Sequence, residues 1–116
     1  MMAAMASPNI TLVSSDLLLA SRLRAALAGV ATVAVVAGDE VPPAALVFID
    51  LNADSDSRIE LIAALRSRGE SRIIGFCQHN ERAVRVRAME RGADQVVTNG
   101  ALQQAALRLV GVGPGD

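Results

Sequence analysis

The chain has 116 residues, 52% apolar and 20% charged, with a formal net charge of −1. That length fits one domain able to bury roughly two-thirds of its unfolded surface, and the charge balance gives no basis for nucleic-acid or acidic-membrane binding. With no Trp, no Tyr, two Phe, one Cys and eleven Arg but no Lys, little is left for stacking on bases, and an intramolecular disulfide, a cysteine zinc cluster, a lysine Schiff base and a P-loop lysine are all excluded.

Residues 1–8 are small and apolar but carry no basic residue and no long apolar core. They are expected to form a disordered leader rather than a signal peptide. No apolar run approaches the ~20 residues that span a bilayer, and a single Cys suits a reducing, cytoplasmic setting. Ile10-Thr11-Leu12-Val13 reads as a buried strand that stops at Ser14-Ser15-Asp16. Residues 16–28 form the first predicted helix, with Leu19, Leu23, Ala26 and Leu27 on one stripe and Gly29 as its stop. The β-branched run 30–37 is a second strand. Gly38-Asp39-Glu40-Val41-Pro42-Pro43 follows, and its two prolines argue against a full helix.

Residues 45–50 form a third strand, apolar on both faces until it ends at Asp50. Such strands belong to parallel sheets covered on both sides. Asp54-Ser55-Asp56-Ser57 is expected to cap a helix over 58–68; a metal loop is the alternative for this D-x-D stretch, but the rest of an EF-hand pattern is absent. A fourth strand runs over 72–77. Asn80 is placed to cap a helix over 81–91, Gly92 ends it, and 95–98 is a short fifth strand. Asn99-Gly100 turns into a last helix over 101–110, and 111–116 form a flexible tail. Strands alternating with helices call for an open α/β parallel sheet with right-handed crossovers. No G-x-G-x-x-G follows the first strand, so the dinucleotide fingerprint is absent.

In such sheets ligands bind beyond the carboxyl ends of the strands. Those ends hold Ser14, Ser15 and Asp16; Asp50 and Asn52; Cys77, Gln78 and His79; and Thr98 and Asn99. These segments resemble the receiver domain of bacterial two-component response regulators, the CheY-like fold, over about residues 9–110. "ITLVSSD" is similar to the first strand and "ALVFIDLN" to the third, with Asp50 at the phosphoacceptor position. "RIIGFCQHNE" is similar to the fourth strand, with Cys77 where Ser or Thr is usual. "AMERGADQVVTN" resembles the stretch A-x-x-x-G-A-D-x-x-x-x-K-P, with Thr98 assigned the Lys place and Asn99 the Pro place. The resemblance implies a five-stranded parallel sheet of order 2-1-3-4-5 with helices on both faces, and a second helix shortened or missing.

The departures from the pattern carry the functional expectation. A receiver phosphorylates its Asp through Mg²⁺ held by an acidic pair, the phosphoacceptor and a backbone carbonyl. Mg²⁺ favours hard, charged oxygens, whereas Ser14 and Ser15 are neutral and Asp16 falls one place further on, as a helix cap. The lysine is missing, and Cys77 is a poorer donor than Thr. The expectation is a degenerate receiver: a non-catalytic, phosphorylation-independent signalling or protein-interaction module with no metal or cofactor. The alternative keeps Asp50 as a phosphoacceptor for a histidine kinase, with Mg²⁺.

A more distant alternative is a small Ser-dependent hydrolase using Ser14, His79 and Asp50, although no G-x-S-x-G elbow is present. Cys77 reads as a small buried hydrophobe, with a redox sensor as the alternative. Arg82, Arg85, Arg87 and Arg91 share helical spacing. They read as a solvated face or, more sharply, as a docking patch. In receivers the face of the fourth helix, fifth strand and fifth helix often mediates dimerisation or partner contact. A protein partner or a second copy, pairing through Glu81 and Glu90, would suit that face; nucleic acid ranks well behind.

Overall fold

Alternation along the strands decides the architecture. In β3 (Leu46–Asp50), Val47 and Ile49 point to one side of the sheet while Leu46 and Phe48 point to the other, and all five residues are buried. A strand apolar on both sides needs cover on both sides. The computed structural model describes residues 9–38, 40–69 and 71–111. The expected leader, and the expected tail beyond Gly111, lie outside the described residues.

The elements are β1 (Asn9–Val13), α1 (Leu17–Ala26), β2 (Thr32–Val36), β3, α2 (Ser55–Arg68), β4 (Arg72–Cys77), α3 (Arg82–Arg91), β5 (Gln95–Thr98), a 3₁₀ turn (Asn99–Ala101) and α4 (Leu102–Leu109). All four strand pairings are parallel, in the order β2-β1-β3-β4-β5. The register sets Val13 beside Ile49 and Asp50 beside Phe76, so the ends of β1, β3 and β4 lie side by side. The core has two layers. Val47, Ile49, Ile59, Ile62, Leu65 and Ile73 pack beneath α2 and α3. Ile10, Leu12, Leu23, Phe48, Phe76 and Leu102 pack beneath α1 and α4. Among the described residues no helix lies between β2 and β3, in keeping with the two prolines.

Several boundaries differ from the expected ones for local reasons. α1 is shorter at both ends: Asp16 stands before it as the N-cap, its Oδ1 accepting from Leu19 N at 3.1 Å, and Gly29 adopts φ 84 just beyond it. α2 begins at Ser55, not at 58. Asp54 is its N-cap residue but makes no side-chain cap bond, its backbone lying in the left-handed region at φ 53, which Asp tolerates better than most residues. Asp56 then sits in the first turn, where the helix dipole favours an acid. Asn80 does not cap α3; Glu81 precedes it without a capping bond. The last helix opens as a 3₁₀ turn.

The passage from α3 into β5, "RGAD", is held by one side chain. Arg66 donates from Nε to Gly92 O at 3.0 Å, from Nη1 to Ser71 O at 3.2 Å, and from Nη2 to Asp94 Oδ2. That same carboxylate oxygen accepts from Ile73 N at 2.8 Å, and Asp94 N donates to Ile73 O at 2.8 Å. Gly92 is required twice over. Its φ is +125, and a Cβ there would stand 3.0 Å from Cβ and Cγ of Arg66. Gly92→Ala is therefore expected to lower unfolding free energy by about 1–3 kcal/mol, measured as a reduced denaturation midpoint at unchanged slope.

Candidate functional site

Asp50 ends β3 with 7% of its surface exposed. A buried carboxylate must be matched by donors, and three reach it. Ser14 Oγ donates to Oδ2 at 2.7 Å. Asn52 donates to Oδ1 twice, from its backbone N at 2.9 Å and from Nδ2 at 2.7 Å. The backbone bond is an Asx-turn that shapes the start of the β3–α2 loop. Ser14 Oγ in turn accepts from Asp16 N at 3.0 Å, and Ser14 N donates to Val36 O at 2.9 Å, so β1, β2 and β3 are joined at this end.

Asn52 also reaches across the sheet. Its amide and that of Asn99 exchange two hydrogen bonds, each 3.0 Å. The residue connected to Asp50 from the end of β5 is thus Asn99, not Thr98, which is half-buried and shares no hydrogen bond with Asp50. This corrects the expected assignment. In the G-A-D-x-x-x-x-K-P pattern the fifth position after Asp94 is 99, so Asn99 holds the Lys place and Gly100 the Pro place.

Beneath Asp50 lies Arg58, also 7% exposed. Its Nη1 donates to Val13 O at 2.9 Å and Asp50 O at 3.3 Å, and its Nη2 to Ala37 O at 3.3 Å. Sequence reasoning treated Arg58 only as the start of a helix. A signal was present: positions 58, 61/62 and 65 share the buried stripe of α2.

No family model and no curated protein matches this chain. Solved structures do. The receiver domain of the TMAO respiratory system response regulator TorR is similar at 26% identity and TM-score 0.76, over 88% of this chain and 92% of that one. The chain has the receiver fold. A CheY-like protein, TadZ, from Pseudomonas aeruginosa PAO1 is similar at 19% identity and TM-score 0.76, over 90% of this chain and 100% of its own. A response regulator from Burkholderia pseudomallei, whose structure carries a phosphorylated aspartic acid and a calcium ion, is similar at 21% identity and TM-score 0.74, over 90% and 66%.

Set in the receiver fold, the residues around Asp50 do not fit Mg²⁺. The Ser14 hydroxyl directs its proton at the carboxylate, and both Asp50 oxygens accept hydrogen bonds. Asp16 is exposed and occupied as the cap of α1, Ser15 is exposed, and no cluster of three or more His, Cys, Asp or Glu suited to a metal occurs among the described residues. Nor is a hydrolytic triad assembled. Ser14 is 1% exposed and gives its proton to Asp50, while His79 lies exposed in the turn after β4, with no hydrogen bond to Ser14 among the described residues.

Cys77 is fully buried at the end of β4, opposite Thr98, in the layer beneath α2 and α3. Burial pushes its thiol up; the nearby Arg85 opposes this and Glu81 adds to it. Arg85 is therefore the cationic neighbour that the sequence does not reveal. Its Nε is buried without a hydrogen-bond partner among the described residues.

The four α3 arginines do not form one patch. Arg85 turns toward Cys77, and Arg87 and Arg91 pair with Asp56 at 2.8 Å and Glu60 at 2.9 Å on α2. Only Arg82 is both exposed and outside the ion pairs of the described residues.

A thiol raised by burial favours the protonated, folded state. The resulting stabilisation is complete below the unfolded thiol range and is lost as pH rises through the folded pKa. Native protein should therefore react slowly with a disulfide reagent at pH 8 and at full rate once unfolded. Cys77→Ala should flatten the fall in thermal stability between neutral and strongly alkaline pH.

Proposed function

We propose that this chain is a receiver-fold signalling module that works through protein contact, with Asp50 as a fixed polar anchor rather than a phosphoacceptor. The observation carrying the proposal is the committed state of the Asp50 carboxylate: both oxygens accept hydrogen bonds, from one neutral hydroxyl and one neutral amide residue. A phosphoryl group added at either oxygen would displace those donors and leave a dianion where a single charge stood, in a pocket without, among the described residues, a second carboxylate to hold a metal or a lysine to pair with it. The Burkholderia pseudomallei structure carries a phosphorylated aspartic acid in this fold; here the residue types around Asp50 depart from the receiver pattern set out above.

The phosphoacceptor reading predicts a different result in one experiment. The protein is incubated with acetyl phosphate and Mg²⁺ and its intact mass is measured. No added phosphoryl group is expected. A phosphoryl adduct that disappears in Asp50→Asn would overturn the reading.

For the contact surface, α3 supports pairing with a second copy. Val86 and Met89 are 46% and 45% exposed. Arg82, Val86 and Glu90 are spaced i, i+4, i+8, and the two charges lie outside the ion pairs described above. Two α3 helices crossing antiparallel about Val86 set Arg82 of each against Glu90 of the other, the self-complementarity that a two-fold interface requires. Sedimentation equilibrium should then show a dimer that Arg82→Glu reduces to monomer and that Arg82→Glu with Glu90→Arg restores.

A further inference from the structure

Arg58 is a buried charge with no carboxylate within 4.0 Å among the described residues. A guanidinium does not lose its proton in a protein, so dipoles must meet its charge. They are three main-chain carbonyls, of Val13, Asp50 and Ala37, at or just beyond the ends of β1, β3 and β2. Clustered carbonyl oxygens are hard ligands of the kind that divalent cations take. A side chain holds that position instead, reaching up from the first turn of α2, where Arg58 N donates to Asp54 O at 3.0 Å. Of the three carbonyls, one belongs to Asp50 itself, so the main chain of the site's anion is held by the site's cation.

We propose that Arg58 is the built-in cation of the Asp50 site: its guanidinium occupies the carbonyl cluster at the ends of β1, β2 and β3 and balances the site's charge without a divalent ion. The inference rests on the reading of Asp50 as a fixed carboxylate. It extends that reading by naming the cation that answers the carboxylate's charge. It also assigns Arg58 as a positioning residue, since the carbonyls it gathers fix where the loops carrying Ser14 and Asn52 leave the sheet.

The test uses Mn²⁺ as a paramagnetic probe of the backbone amides of Ser14, Asp50 and Asn52 by NMR, with thermal unfolding alongside. Wild-type protein should show no selective broadening of these amides at millimolar Mn²⁺. Arg58→Gln keeps an amide donor but removes the charge; it should lower Tm by roughly 10 °C and make the three amides sensitive to Mn²⁺. Adding Asp50→Asn should abolish that sensitivity. Arg58→Lys keeps the charge but cannot span three carbonyls, so it should lower Tm while leaving the amides insensitive, and it remains informative if the Gln variant does not fold.

Selective broadening in the wild type overturns the proposal, because an ion then enters with Arg58 in place. So does a folded Arg58→Gln protein whose amides ignore Mn²⁺, which would reduce Arg58 to packing, and so does an Arg58→Lys protein that takes up the ion. Phosphorylation of wild-type Asp50 by acetyl phosphate would sink the anchor reading, whereas the Mn²⁺ response of the Arg58 variants reports on the cation separately.

Discussion

A carboxylate at the end of an almost fully buried strand needs donors, and the loops around it are arranged to supply them. Asp50 draws Ser14 from the end of β1 and Asn52 from its own loop. Through Asn52 it is tied to Asn99, where β5 turns into the segment leading to α4. Charge-assisted bonds of this kind are roughly twice as strong as neutral ones, and they are short here. The switch-point end of the sheet is consequently a closed polar network, with Arg58 holding the main chain from below.

The rest of the molecule sets how firmly each element stands around that network. The sheet is the rigid part: its two layers bury a dozen large side chains almost completely, each worth about 1.5–3 kcal/mol on burial. α3 is held more lightly. Ala88 is its single fully buried residue, and its bridges to α2 join exposed groups, a kind worth about 0–1 kcal/mol each. The firmer tether is at its end, where Arg66 binds the turn before β5. A helix anchored at one end, with Val86 and Met89 facing outward, is the element of this fold best able to adjust to a partner.

The sequence made the architecture legible because two-sided apolar strands and glycine stops are local signals. "VFID" and "RIIGF" are short, branched and apolar on both faces, as strands of a covered parallel sheet are, and the order of elements did the rest. Helix starts were less legible. Asp54 looks like a cap by residue type but takes a left-handed backbone and makes no capping bond, because the cap depends on dihedral angles that composition does not encode. The site was legible in part. Asp50 and Ser14 lie at strand ends, which alternation locates. Asn99 was misplaced by one position, and that position is the boundary where β5 ends at Thr98 and the 3₁₀ turn begins. Arg58 was overlooked because an arginine near a helix start ordinarily reaches solvent, and its burial follows from three carbonyls contributed by separate strands. The arginines of α3 share a spacing, but α2 and Cys77 draw three of them to different neighbours.

The partners of Asp50 and Arg58 also bear on which single substitutions the site can accept. An acid placed at position 14 alone would remove the donor to Asp50 Oδ2 and set two carboxylates side by side. Removing Arg58 alone would leave the carbonyls of Val13, Asp50 and Ala37 without their shared donor. On the reading proposed for Asp50 and Arg58, either change made alone lowers stability. On that reading, stability by itself holds Ser14 and Arg58 in place, whatever work Asp50 does.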